Sequence, residues 1–509
     1  MSERILMGID LGTSGVKVAL FDEKGARICS CTEEYPLSQP RNGWAEQNPE
    51  DWWHGVQRAV RTVLDGIDGK SAEIAGIGLS GQMHGLVMLG EDGRVLRPAI
   101  LWCDQRTAKE CEEITARVGK ERLMELTMSP ALTGFTASKI LWVRNHEPQI
   151  YEKCRKILLP KDYIRYRLTG ELATDVSDAS GMQLLDIAHR DWSGEVLQKL
   201  EIDRSLLGKV YESPEVTGQL SREAAEVTGL RVGTPVVGGA GDNAAAAIGC
   251  GVVRDGDCFT TIGTSGVVFA HSSALRGDPR GRIHSFCAAV PGEYHVMGVT
   301  LAAGLSLRWF RDCFCREEKE EADREGVDVY RVMDEEASAV PIGANRLLYL
   351  PYLMGERTPH LDPYARGAFV GLSASHSRAD CLRAVMEGVT FSLRDALGVF
   401  EECRVDVRRM MACGGGAVSP LWRQMLADVF GCPVNTAVSG EGGALGAALL
   451  AGVGTGVYSS VFQACDAVIR IRTEQEPDIA AGQAYMPYYQ LYRQLYAALH
   501  PTWDALASL

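Results

Sequence analysis

The sequence predicts an α/β chain of two lobes, each led by a β-hairpin, with a ligand cleft between them. A short pattern that occurs twice is the first reason. Gly8-Ile9-Asp10-Leu11-Gly12-Thr13-Ser14-Gly15-Val16 opens the chain, and Thr261-Ile262-Gly263-Thr264-Ser265-Gly266-Val267-Val268 recurs in its second half. Each copy reads as an apolar strand, a Gly-Thr-Ser-Gly turn and a second apolar strand. Such a hairpin tip exposes backbone N–H groups and two hydroxyls, a cradle for phosphate oxygens. The second reason is a change of composition at Gly238-Gly239-Ala240-Gly241-Asp242-Asn243, after which the strand pattern restarts. The lobe boundary is therefore placed near 243, giving lobes 1–243 and 244–509.

The first lobe begins with strand patterns at 5–10, 16–21 and 28–35. A Gly/Pro/Asn-rich loop, 39–49, leads to an amphipathic helix over 51–64 with Asp51 as its cap. Strands at 74–80 and 86–89 flank Gly81-Gln82-Met83-His84-Gly85, and helices follow at 108–118 and 139–145. The charge-dense stretch 317–336 reads as one solvated surface helix. The aromatic and Leu-rich stretch 483–506 reads as a last helix packing across the lobes.

Composition excludes several classes. A net charge of −14 with no Lys/Arg block argues against a general nucleic-acid binder. It also means that an anionic nucleotide must be held by local donors and a metal ion. The first strand is too short for a signal h-region, and the Gly/Ala-rich run 444–453 is too short for a bilayer, so a cytoplasmic protein without membrane contact is expected. The 15 cysteines are odd in number and scattered, with two C-x-C pairs and no C-x-x-C, which reads as free thiols rather than zinc chemistry. Neither a Walker-type loop nor a dinucleotide-binding G-x-G-x-x-G after a strand occurs.

Asp10 ends the strand before the first phosphate turn. A carboxylate there repels phosphate unless a cation intervenes, so it reads as a Mg²⁺-positioning group acting through waters, against a turn-stabilising Asp. Asp242 lies in a Gly-Ala-Gly-Asp-Asn-Ala run where a helix can open. It reads as a general base taking a proton from an alcohol during phosphoryl transfer, against a simple N-cap. Gln82 and His84, flanked by glycines, can hydrogen-bond a polyol, against a structural loop histidine. Trp102, with Asp104 and Arg106, offers an apolar wall and hydroxyl-binding groups, against a strand end with a salt bridge. Gly414-Gly415-Gly416-Ala417 lets an adenine or ribose lie against the backbone, against an ordinary strand–helix turn.

These segments together resemble the FGGY carbohydrate kinases. Residues 8–21 and 260–269 are similar to the family's two phosphate motifs. Residues 134–146 and 367–387 are similar to its two signatures, the second departing at Cys381, where an aliphatic residue is usual. Residues 80–85, 161–186 and 355–362 (Gly-Glu-Arg-Thr-Pro-His-Leu-Asp) also resemble family segments, those around the sugar among them. The resemblance implies an actin-like, ribonuclease-H-type ATPase fold in both lobes, with ATP and sugar in the interlobe cleft. It implies ATP-dependent phosphorylation of D-xylulose at its 5-hydroxyl, with Asp242 as base and Asp10 positioning Mg²⁺. Thr13, Ser14, Gly263 and Thr264 would cradle phosphates, and Gly304, Gly415 and Gly416 match the nucleotide segments. Met83, His84 and Asn243 match the ketose site, as do Trp102 and Asp104. A homodimer is the expected assembly. The same chemistry on L-xylulose, ribulose or gluconate, a non-kinase actin-like ATPase and a sugar sensor stay open as alternatives.

Overall fold

The computed structural model describes residues 4–67 and 74–509, and its framework is one sheet motif built twice. Strand Ile5–Leu11 turns back into Gly15–Phe21 as an antiparallel hairpin with Leu11 opposite Val16. Arg27–Glu34 adds antiparallel outside it, while Ile74–Gly81 and then Pro235–Val237 add parallel on the other side. In the second half Gly256–Ile262 and Gly266–Ser272 form the hairpin, with Ile262 opposite Gly266. Tyr294–Thr300 adds antiparallel, and Val407–Cys413 and Val434–Ala437 add parallel. Strand order and direction are thus the same in both lobes. Ile5–Leu11 is buried nearly throughout because helices cover both faces, whereas the edge strand Arg27–Glu34 alternates exposed and half-buried residues.

Three helix expectations shift. The first long helix runs Pro49–Asp65, and Asn48, not Asp51, caps it by accepting from the N–H of Glu50. Proline suits the first helical position, where its missing N–H costs nothing, and this moves the cap back to Asn48. The stretch 317–336 is two helices, Arg316–Glu325 and Val329–Ser338, divided at Gly326 with φ +67. It is not simply solvated: Glu318 is buried against Arg378, and Val332, Met333 and Ala337 face the core. The last helix, Ile479–Ala507, packs on the second lobe rather than spanning both. Its buried Tyr485 and Tyr489 hold Arg383 and Asp395 of helix Arg378–Glu402, the Tyr489 hydroxyl donating to Asp395 at 2.7 Å.

Helix Gly442–Gly454, late in the sequence, crosses back onto the first sheet with almost no side chains in between. A Cβ on Gly8 would lie 1.9 Å from the carbonyl oxygen of Ala444, and one on Gly78 would lie 1.8 Å from that of Ala447. A Cβ on Gly446 would lie 1.8 Å from the carbonyl oxygen of Ala245, and one on Gly249 would lie 1.9 Å from that of Gly442. Backbone therefore meets backbone between this helix, strands Ile5–Leu11 and Ile74–Gly81, and helix Asp242–Gly249. That requirement accounts for the Gly/Ala composition of both helices.

Gly446→Val should destabilise the protein by about 3 kcal/mol or more, at the upper end for overpacking, because the obstructing atoms are backbone. Gly440→Ala, whose Cβ would meet nothing within 4 Å, should stay within about 0.5 kcal/mol of the parent. Equal midpoints for the two variants in thermal melts would contradict the backbone contact.

Candidate active site

Asp10, Ser80 and Ala240 lie side by side on three neighbouring strands, since Ser80 is paired with both Asp10 and Ala240. Strand Ala240–Gly241 runs directly into helix Asp242–Gly249, so Asp242 emerges beside Asp10 at the carboxyl ends of the parallel strands. Asp242 Oδ1 accepts from the backbone N–H and side-chain amide of Asn243, at 2.6 and 2.8 Å. Among the described residues Oδ2 accepts no hydrogen bond. Burial, and then the charge of Asp10, push the Asp242 carboxyl up to about 7. Burial also raises the Asp10 carboxyl, against the lowering pull of the Ser80 hydroxyl and Lys17. Gly443 keeps the space before Asp10 open, since a Cβ there would lie 2.6 Å from Oδ2.

This pair is a fit for a hard dication. Burial raises both carboxyls and the Asp10 charge raises that of Asp242 further, a cost that a cation beside Asp10 would offset. Among the described residues no group of three or more His, Cys, Asp and Glu side chains could hold a metal. An ion held by one or two carboxylates, with waters and phosphate oxygens filling the rest, is the arrangement Mg²⁺ prefers.

Both hairpin tips turn their carbonyls inward. At the first, the oxygens of Gly12, Thr13 and Ser14 accept from the Tyr35 hydroxyl, the Gln47 amide and the Tyr35 N–H. At the second, the Gly263 oxygen accepts from Gly304 at 2.7 Å, and the Thr264 oxygen accepts from Ala303 and Leu305, both at 3.1 Å. The N–H groups of Thr13, Ser14, Thr264 and Ser265 engage no backbone acceptor among the described residues. Two clusters of free donors result, each suited to an anion. Gly304 must approach this closely, because a Cβ would lie 2.4 Å from the Gly263 oxygen. Gly416 packs on Ile262, while Gly415 faces open space. The structure thus gathers Gly263, Thr264, Gly304, Gly415 and Gly416 at one end of the second sheet.

The loop after Ile74–Gly81 is fixed from several sides. Gln82 N–H donates to the Leu11 oxygen at 2.8 Å. Met83 packs on Gly241, where a Cβ would lie 2.9 Å from its Cγ. His84 has φ +67, and its carbonyl accepts from Lys139 Nζ at 2.8 Å and Thr136 Oγ1 at 3.0 Å. Its Nδ1 lies 2.8 Å from the Gly181 carbonyl, which can only accept, so Nδ1 carries the proton. Burial, followed by the Lys139 charge, pushes the imidazole down to about 3, leaving it neutral. Nε2 is consequently an acceptor.

The Trp102 indole, on the rim, donates to Thr13 Oγ1 at 3.0 Å, and that hydroxyl donates to Gln82 Oε1 at 3.3 Å. Trp102 therefore links the first phosphate turn to the Gln82 loop. Asp104 is not brought to the cleft. It is fully buried, accepts from the Ala45 N–H at 2.7 Å, and is held through both oxygens by Arg106. The strand-end reading with a salt bridge describes its contacts. A group that composition did not single out is Lys161, buried 2.8, 3.0 and 3.8 Å from Asp162, Asp175 and Asp178 and donating to the Gly238 oxygen. Ser177, bonded to Asp175, accepts from the Gly241 N–H, so this cluster carries the strand that delivers Asp242.

A model of the FGGY carbohydrate kinase N-terminal domain matches residues 5–249, and that of the C-terminal domain matches 258–455. The chain belongs to the FGGY family of carbohydrate kinases. This kinase is 40% identical to the xylulose kinase of Bacillus subtilis (strain 168) over 493 residues, 97% of each chain. It is 41% identical to the xylulose kinase of Escherichia coli (strain K12) over 496 residues, 97% of this chain and 99% of that one. The crystal structure of xylulose kinase from Rhodospirillum rubrum superposes with a TM-score of 0.91 at 30% identity, covering 98% of this chain and all of that one. The actin-like ATPase fold accounts for the repeated sheet.

The raised Asp242 carboxyl has a consequence for stability. Folded, it binds a proton that the unfolded chain, with a carboxyl near 3.8, has already lost by pH 5, so stability falls as pH rises toward 7. Asp242→Asn removes that dependence. The melting temperature of this variant relative to the parent should therefore be higher at pH 8 than at pH 5. The widening should be at least about 2 °C, the shift that about 1 kcal/mol produces in a large domain. A difference that is flat with pH would contradict the assignment.

Proposed function

We propose that this kinase transfers the γ-phosphoryl group of ATP to the 5-hydroxyl of D-xylulose, with Mg²⁺, in the cytoplasm. The observation that carries this reading is the junction at Gly241, which packs on Met83 of the polyol-suited loop and leads directly into Asp242. The names of its 40%-identical relatives support the same sugar. Fifteen cysteines without a disulfide suit a reducing compartment, and no helix among the described residues is long and apolar enough to cross a membrane.

The roles follow from the atoms left free. Asp242 Oδ2 takes the proton of the sugar hydroxyl as its oxygen attacks, while Asn243 holds the other carboxylate oxygen and fixes the rotamer. His84 Nε2 accepts from a second sugar hydroxyl, and Gly181 keeps the ring in the tautomer that can do so. The N–H groups of Thr13 and Ser14 face the transferring phosphate, and those of Thr264 and Ser265 face the nucleotide phosphates from the second lobe. Asp10 would hold Mg²⁺ through waters, and the ion would neutralise charge on the phosphate oxygens. Positioning and water exclusion supply the rest of the acceleration.

ADP release coupled to sugar should be fastest with D-xylulose in a screen that includes L-xylulose, ribulose, gluconate and glycerol. Asp242→Ala should lower kcat by about 10²–10⁴-fold, the usual contribution of a general base. His84→Ala should lower kcat/KM for the sugar by roughly tenfold to a thousandfold while leaving the KM for ATP nearly unchanged. An unchanged sugar KM in a folded His84→Ala protein would remove residues 81–85 from the sugar site. Greater activity on another sugar would overturn the choice of D-xylulose alone.

A further inference from the structure

The wall opposite His84 belongs to the second lobe, and among the described residues it holds a cation without a partner. Strand His284–Cys287 pairs with Tyr294–Thr300, and its Phe286 ring lies 6.4 Å from the His84 ring. Phe135 stacks obliquely on His84 at 4.6 Å and meets His284 at 5.4 Å. The same strand docks on the first lobe, the Cys287 N–H donating to Ser180 Oγ at 3.1 Å. Segment 355–362 lies against this sheet, and Arg357 is within it.

The backbone around Arg357 is clamped. The buried Glu356 carboxylate accepts from Thr300 Oγ1 at 2.6 Å, the Leu301 N–H at 3.1 Å, Ser392 Oγ at 3.2 Å and the Arg357 N–H at 2.7 Å. Thr358 donates its N–H to the Val299 oxygen at 2.9 Å and its hydroxyl to the Arg282 oxygen at 2.7 Å. Glu356 therefore spends its oxygens on hydroxyls and backbone, not on the neighbouring guanidinium. Among the described residues the Arg357 guanidinium makes no hydrogen bond and no ion pair. Its charge nevertheless reaches the pocket. His284 is pushed far down by burial and then by Arg357, and His84 by burial, Lys139 and, more weakly, Arg357.

An arginine carries five donors and no acceptor, and leaving them unpaired in a partly buried site is costly. A rigid backbone mount and an empty fork of donors, on the segment packed against the sheet that carries His284 and Phe286, describe a group that waits for acceptors brought by a ligand. We propose that Arg357 is a sugar-binding residue supplied by the second lobe, its guanidinium donating to oxygens of the open-chain sugar that His84 holds from the first. The two walls are complementary: neutral His84 accepts from a hydroxyl, and Arg357 donates to a hydroxyl or carbonyl oxygen. Sugar then bridges the lobes, which links its binding to closure of the cleft. The inference rests on the reading of residues 81–85 as the sugar loop.

Full-length Arg357→Met and Arg357→Lys, compared with the parent, test it. Arg357→Met should lower kcat/KM for the sugar by about tenfold to a thousandfold, leave the KM for ATP within about twofold, and melt no lower than the parent. Its melting temperature should no longer rise when sugar is added. Arg357→Lys should fall between the two, because a point charge cannot reproduce the planar fork. A sugar kcat/KM within about threefold of the parent in Arg357→Met overturns the proposal, as does an equal loss toward ATP and sugar. Failure of Arg357→Met to fold also overturns it, since that would make the guanidinium a structural group. Lysine equal to the parent overturns the fork-type hydrogen bonding proposed for the guanidinium. If the parent ignores D-xylulose, the earlier choice of sugar fails, and the comparison is made on the sugar that it does phosphorylate.

Discussion

The site depends on a contact in which side chains are nearly absent. Helix Gly442–Gly454 meets strands Ile5–Leu11 and Ile74–Gly81 and helix Asp242–Gly249 through glycine and alanine backbone. That approach sets the separation between the strand that carries Asp10 and the helix beginning at Asp242. It also places Gly443 before the Asp10 carboxylate, where any side chain would fill the space a cation needs. A close contact of backbone on backbone has few alternative arrangements, so the two carboxylates are held in register by geometry rather than by attraction.

Attraction, in fact, is missing between them. Burial raises both carboxyls, the Asp10 charge raises that of Asp242 further, and the fold sustains this with polar support nearby. Lys161, buried among Asp162, Asp175 and Asp178, anchors the loop and strand that lead into Asp242, and Ser177 carries the connection to Gly241. Around the neutral His84 the same economy holds: Lys139 bonds to carbonyls, Gly181 fixes the tautomer, and aromatic rings exclude water. A site of this kind is strained electrostatically, and in the proposed function a dication, phosphates and a polyol would relieve it.

Much of this was legible in the sequence. The twice-repeated Gly-Thr-Ser-Gly turn gave both hairpins, because apolar strands around a glycine turn have few alternatives. Asp10 and Asp242 stood out because carboxylates beside phosphate loops need a reason. Less visible was anything that depends on contacts far apart in the chain. Asp104 reads like a ligand for hydroxyls, yet Arg106 two residues on takes both its oxygens. His84 reads as a donor or an acceptor until the Gly181 carbonyl decides it, nearly a hundred residues away. Arg357 sits in a segment whose resemblance to the family was plain, but only the second lobe's packing shows that its guanidinium lacks a partner among the described residues. The aromatic last helix and the acidic stretch 317–336 misled for a related reason: local pattern reports a buried face without saying what covers it.

The central claim is that Asp242, protonated near neutrality by burial and by Asp10, is ionised when Mg²⁺ and nucleotide arrive. Calorimetric titration of the sugar-free protein with Mg²⁺ and a non-hydrolysable ATP analogue at pH 6.5, in buffers of different ionisation enthalpy, measures this directly. The account predicts net proton release from the parent protein and a release smaller by about half a proton or more in Asp242→Asn, given a carboxyl near 7. Equal proton release from the two proteins would contradict it.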